Sequence, residues 1–172
     1  MTLERVRWAE PSDLPEVLEL AREGAANMRH QRGGSMWARR EARPEPFEAD
    51  LVAALAGLGG RRAVVGMVDD VVVGYALVEP EALHDRGLLW TVTDIYVTPD
   101  ARGVGVGEAM MELMVSAARQ AGAEGIDSLA LPGDRATKNF FERFGLTARA
   151  IVVHRSLTSE DTSQPSSEGA GE

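Results

Sequence analysis

The 172-residue chain contains no cysteine. That excludes a disulfide framework, a cysteine metal site and a cysteine nucleophile. It has three histidines, and none of them, His30, His84 or His154, has a companion at metal-ligand spacing, so no metal is expected. No stretch approaches the roughly 18 apolar residues of a membrane span, and the start, MTLERVRWAE, lacks an apolar signal region. A cytoplasmic protein without a membrane partner is the expectation. Positive charge is scarce: 18 Lys and Arg stand against 27 Asp and Glu, a net charge of -9. Sequence-independent binding to nucleic acid relies on basic surface, so the expected partners are small molecules or proteins.

The bases that are present cluster. Arg22, Arg29, Arg32, Arg39, Arg40 and Arg43 fall close together, opposed only by Glu23 and Glu41, whereas the last residues, TSEDTSQPSSEGAGE, carry acids and no base. That tail has no apolar periodicity and buries too little to offset its ordering entropy. A single domain over 1–157 and an acidic, Ser/Gly-rich disordered tail over 158–172 are therefore expected.

Periodicity divides the domain further. LERVRW alternates as a strand, and Ser12 opens a helix with Leu14, Val17, Leu18 and Ala21 on one face. The glycine-broken basic loop NMRHQRGGSMWARREARPEP precedes a second helix in PFEADLVAALAGLGG. RRAVVGMV and VVVGYALVE flank Asp69-Asp70 as a hairpin, and LLWTVTDIYV is a third strand in succession. A helix carrying Met110, Leu113, Met114, Ala117 and Ala118 follows, then strand IDSLAL, helix DRATKNFFERFG and a last strand in TARAIVVHRSL. This order predicts an α/β (α+β) fold, a mixed sheet with helices on its faces.

Ahead of the helix at Met110 stands RGVGVG, with Gly103, Gly105 and Gly107. Glycines before a helix admit close approach to the backbone, and the N–H groups of a first turn attract anions. The spacing is wrong for a nucleotide triphosphate loop, since Gly107 is followed by Glu108 and Ala109. It is also wrong for a dinucleotide fingerprint, whose third glycine would be Glu108 or Met110. A dinucleotide-dependent oxidoreductase is thereby disfavoured. VTPDARGVGVG instead resembles the Arg/Gln-x-x-Gly-x-Gly/Ala signature of the GNAT family of N-acetyltransferases, in which it follows a Val-x-Pro strand end. DRATKNFFERFGL looks like the same family's late helix, and VVVGYALV like its strand before the acceptor site. The resemblance covers roughly 3–157. It implies a GNAT-type, mostly antiparallel sheet of six to seven strands flanked by about four helices, and acetyl-CoA as co-substrate.

What the resemblance implies for residues is specific. Arg102, Gly103, Val104, Gly105, Val106, Gly107 and Glu108 would receive the pyrophosphate, and Ile95, Tyr96 and Val97 would pair with the pantetheine arm, a strand amide polarising the thioester carbonyl. Attack requires a neutral amine, whereas a lysine-type amine has a pKa of about 10.4. The family often places a glutamate at the position of Thr93; Asp94 beside it becomes the candidate general base, re-aimed by the bulge usual in that strand. The usual proton-donating tyrosine of the late helix is replaced by Phe141, which leaves Tyr96 as the candidate acid. Asp134 stands where an asparagine usually contacts the cofactor, and its residue type also suits a helix cap. Arg32 and Trp37, in the loop that walls the acceptor site in similar proteins, are candidate acceptor contacts together with Thr93, and the loop's arginines would suit an anionic or aromatic acceptor. The reading is an N-acetyltransferase acting on a primary amine of a small molecule or protein, with a non-catalytic acyl-CoA-binding module as the alternative. Homodimers are common among similar proteins.

Overall fold

A computed structural model describes residues 4–157. The chain runs β1 (Glu4–Trp8), α1 (Leu14–Arg29), α2 (Gly34–Arg40), α3 (Glu48–Leu55), β2 (Arg62–Val68), β3 (Val71–Ala82), β4 (Leu88–Val97), α4 (Val106–Gln120), β5 (Gly125–Ser128) and α5 (Arg135–Arg143). The strands form one sheet in the order β1-β2-β3-β4-β5. All neighbours are antiparallel except β4 and β5, which run parallel. Short turns suffice for the first kind of pairing, while a parallel pair needs a crossover, and α4 supplies it.

Both faces of the sheet are covered, which is why the middle of β3 reads as a nearly continuous apolar run rather than an alternating one. Tyr75 and Leu77 point to α1 and α3, joining Val17, Leu20, Leu51 and Val65 in one core cluster. Ala76 and Val78 point the other way, to Met110, Met111 and Met114 of α4. These three methionines are fully buried, and truncating one to alanine is expected to cost about 2–5 kcal/mol. Gly66 of β2 sets the position of α4: a Cβ there would lie 2.3 Å from Val106 Cγ1. The start of α4 can therefore approach the sheet closely.

The start of α1 is pinned to β1. Arg7 donates to both oxygens of buried Asp13, at 2.7 and 2.8 Å, and Asp13 also accepts from the Glu10 amide at 2.7 Å. The Arg7 hydrogen bond holds the Asp13 carboxyl below its usual range, outweighing the opposing effect of burial.

Several expectations need correction. Among the described residues the sheet has five strands, not six to seven, and five α-helices flank it rather than about four. The extra helix, α2, forms inside the basic loop. The fifth strand ends at Ser128, short of Leu131. TARAIVVHRSL forms no strand; the edge strand that Arg149 reaches, β5, offers only four residues, Gly125–Ser128. The expected tail over 158–172 lies outside the described residues. No helix among those described is long and apolar enough to cross a membrane.

Candidate active site

The sheet opens between β4 and β5. Their ladder runs from Leu89–Gly125 to Val92–Ser128 and stops there, while β4 continues to Val97. The residues Thr93 to Val97 thus have no strand beside them on that flank. Beyond Val97 the chain makes one turn of 3-10 helix, Pro99–Ala101, and enters the glycine loop. Gly103 and Gly105 have φ of 81° and 98°, values that side chains resist. Gly105 immediately precedes α4, so the amides of its first turn have no intrahelical acceptor. A Cβ at Gly103 would meet nothing within 4 Å. Free space, unpaired amides and the positive end of a 15-residue helix coincide there.

The flanking charges are arranged around that loop. Arg102 donates its Nε to the Val97 carbonyl at 3.0 Å, and its guanidinium lies 5.6 Å from the Tyr96 ring. Glu108 pairs with Arg143 of α5 at 3.5 Å, which offsets its charge. Glu4 of β1 reaches the loop as well, with a carboxylate oxygen 2.8 Å from where a Gly105 Cβ would be.

A bulge shapes the end of the opening. Leu77 pairs with Asp94 and Val78 with Val92, so Thr93 is the extra residue of β4. Asp94 consequently shares a face with Leu77 and Tyr75, the face of α1 and α3. Its Oδ2 accepts from Arg43 Nη2 at 2.7 Å and from Thr93 Oγ1 at 2.8 Å, and its Oδ1 accepts from Tyr75 Oη at 3.2 Å. Burial, the Asp94 charge and the bond to Asp94 all push the Tyr75 hydroxyl well above its ordinary range. Tyr75 therefore stays a donor. Arg43 also pairs with Asp50, which takes a two-pronged bond from Arg61 at 2.8 Å, and Arg61 pairs with Glu79 at 2.8 Å.

This network floors a cavity of about 550 Å³, whose walls include Trp37, Glu41, Glu45, Thr93 and Asp94. The lining holds five carboxylates, Glu41, Glu45, Asp50, Glu79 and Asp94, against two guanidiniums, Arg43 and Arg61. Of the basic loop's arginines, Arg43 lines this cavity, and it is paired with Asp50 and Asp94.

The other sequence candidates separate into groups. Trp37, Thr93 and Asp94 meet at the cavity. Arg32 does not line it; it is exposed, and its backbone nitrogen lies 2.9 Å from where a Cβ of Gly133 would be, against the loop after β5. Tyr96 faces α1, where its hydroxyl bonds Glu23 at 3.3 Å; burial and Glu23 raise it, with Arg102 opposing. Ile95 and Val97 turn their side chains to the α4 cluster, and Val106 is buried in it, so these three offer backbone to the opening. Val104 is exposed. Asp134 caps α5, accepting from the Thr137 amide at 3.0 Å and its hydroxyl at 2.6 Å. Phe141 is 5% exposed and belongs to the core; a Cβ at Gly107 would instead lie 3.5 Å from the Phe140 ring. Sequence reasoning missed Phe140, Asp50, Arg61 and Glu79 and did not separate Arg43 from its neighbouring arginines. No local spacing marks them.

The model of the acetyltransferase (GNAT) family matches residues 33–146. No curated protein matches the chain. Among solved structures, the tetramutant of BH1408 protein from Bacillus halodurans superposes with a TM-score of 0.74 at 19% identity, over 89% of this chain and 99% of that one. Aminoglycoside acetyltransferase meta-AAC0020, from an uncultured soil metagenomic sample and in complex with sisomicin, superposes at 0.67 and 18% identity, over 90% and 95% of the two chains. AAC(6')-Iy in complex with the bisubstrate analog CoA-S-monomethyl-acetylneamine does so at 0.69 and 16%, over 90% and 97%. At these identities the likeness is one of fold.

Proposed function

The chain belongs to the acetyltransferase (GNAT) family, and from that premise we propose that it transfers an acetyl group from acetyl-CoA to a primary amine of a small, multiply cationic acceptor. The observation that carries the reading is the meeting of three features: the parted β4 and β5, the anion-accepting start of α4, and the carboxylate-rich cavity at the β4 bulge. Acetyl-CoA supplies an activated acyl thioester. The loop from Arg102 to Glu108 suits its pyrophosphate, since space, unpaired amides and helix polarity are all present, and the β4 backbone from Ile95 to Val97 suits its amide-bearing arm. A strand amide aimed at the thioester carbonyl is typically worth about 2.7–4 kcal/mol in acyl transfer.

Asp94 is the group assigned to take the proton from the attacking amine, directly or through water. It stands at the junction of cavity and opening, and its partner Arg43 comes from the loop that walls the cavity. The acceptor class follows from charge. With carboxylates in excess, a polyamine or aminosugar cation is attracted and a carboxylated amine is repelled. The neighbours that are aminoglycoside acetyltransferases support the same class. Departure of CoA as a thiolate is tolerable near neutral pH, because a thiol has a pKa of about 8.5; no side chain is assigned to protonate it.

One observation favours a second reading. Three donors already occupy the Asp94 oxygens, which suits a structural carboxylate in a non-catalytic acyl-CoA-binding module. Acceptor-dependent release of CoA thiol separates the two. The chain has no cysteine, so a thiol reagent reads only the product. Release with polyamines or aminosugars establishes the transferase; an acetyl-CoA thermal shift without release from any amine establishes the module.

A further inference from the structure

A second, smaller cavity of about 190 Å³ lies where β1 ends, β2 begins and α3 stops. Its walls include Trp8, Arg61, Arg62, Ala54, Leu55 and Ala63, and no carboxylate lines it. In a chain of net charge -9 this is a cationic hollow with aliphatic walls. Trp8 faces Val64 across the β1–β2 pair, so Arg62, two residues before Val64, lies on the same face of the sheet. The guanidinium carbon of Arg62 sits 3.3 Å from the centroid of the Trp8 ring. Stacking of this kind occupies the flat face of the guanidinium and leaves its in-plane N–H donors uncommitted. Among the described residues those donors have no hydrogen-bond or carboxylate partner, and burial pushes the guanidinium below its usual range with no anion to counter it. Arg61 differs: Asp50 and Glu79 hold it on the side of the larger cavity, whose wall it also forms.

A partly desolvated cation without a counter-charge is costly until something pairs with it. We propose that this cavity is a binding site for a small monocarboxylate, with the carboxylate on the edge of the Arg62 guanidinium and a short apolar body against Ala54, Leu55 and Ala63. The class follows from shape and charge. A planar fork of N–H donors matches a carboxylate with two parallel bonds, and one unpaired guanidinium balances one negative charge. The end of α3 at Leu55 contributes about half a negative charge at most, which leaves the cavity cationic but short of what a phosphate dianion requires. At about 190 Å³ the cavity is smaller than the roughly 300–1,000 Å³ of sites for drug-sized ligands, so the body is limited to a few carbons or one ring. The inference does not rest on the transferase reading, since neither the open flank of β4 nor the glycine loop lines this cavity.

Benzoate is the probe, with benzamide as its uncharged counterpart and inorganic phosphate as the competing anion. Calorimetric titration of the full chain should give saturable benzoate binding with a Kd of about 1 mM or tighter, and both benzamide and phosphate should bind about tenfold more weakly or not at all. Arg62→Gln removes the charge and the fork; it should weaken benzoate about tenfold or more, while the circular dichroism spectrum and cooperative melting stay as in wild type. Arg62→Lys retains the charge without the fork and should weaken benzoate as well. No saturable benzoate binding overturns the proposal. So does benzamide binding as tightly as benzoate, phosphate binding more tightly, or undiminished benzoate affinity in either Arg62 variant.

Discussion

Arg43 Nη2 and Asp94 Oδ2 lie 2.7 Å apart, 51 positions apart in the chain, with the Arg43 side chain only 11% exposed. The contact ties the wall of the carboxylate-lined cavity to the bulge of β4. Removing the cation leaves Asp94 and Asp50 facing each other's charge with one partner fewer. Breaking a buried pair costs about 3–5 kcal/mol; allowing for the partial exposure of Asp50, Arg43→Met should lower stability by about 2–3 kcal/mol. Urea unfolding with an unchanged slope checks it, and a loss under about 0.5 kcal/mol would mean that the pair is incidental.

Asp94→Asn keeps the shape of the bulge and removes the carboxylate proposed to take the proton of the attacking amine. Turnover should fall about 10²- to 10⁴-fold, with acetyl-CoA affinity changed less than about threefold. Initial rates and titration of acetyl-CoA on one preparation give both numbers. Unchanged turnover removes Asp94 from the chemistry.

Gly105→Ala tests the loop. The residue must hold φ near 98°, and its new Cβ would crowd Glu4 at 2.8 Å. Backbone strain of about 1–3 kcal/mol is expected to appear as acetyl-CoA binding weakened about tenfold, read by calorimetry. Affinity equal to wild type would show that the loop does not hold the ligand in this conformation.

Acid should loosen the start of α1. Because Arg7 lowers the Asp13 pKa on folding, the carboxylate stabilises the fold fully above its unfolded pKa of about 3.9 and loses that contribution as pH falls through the lower folded value. Asp13→Asn should therefore be less stable at neutral pH by about 2 kcal/mol and lose less on acidification below about pH 4. Melting temperature against pH for both chains measures it, and parallel acid limbs would contradict the assignment.

The parts of this architecture that were legible in the sequence are the local ones. Gly103 and Gly105 announce themselves because positive φ selects the residue type, and the methionines of α4 because helix periodicity selects their spacing. The Arg43–Asp94 pair could not be read, since it joins the loop after α2 to strand β4 by tertiary packing, and six nearby arginines look alike in one dimension. The final segment failed for a different reason: Ile151, Val152 and Val153 show what a strand is made of, but not whether the chain itself offers an edge to receive it.

Amide hydrogen exchange with and without acetyl-CoA tests the central claim most directly, because it reports where the ligand lies. The account predicts new protection over residues 94–97 and 103–109, with the rest of the sheet unchanged. No added protection in either stretch, or protection confined to other elements, would contradict it.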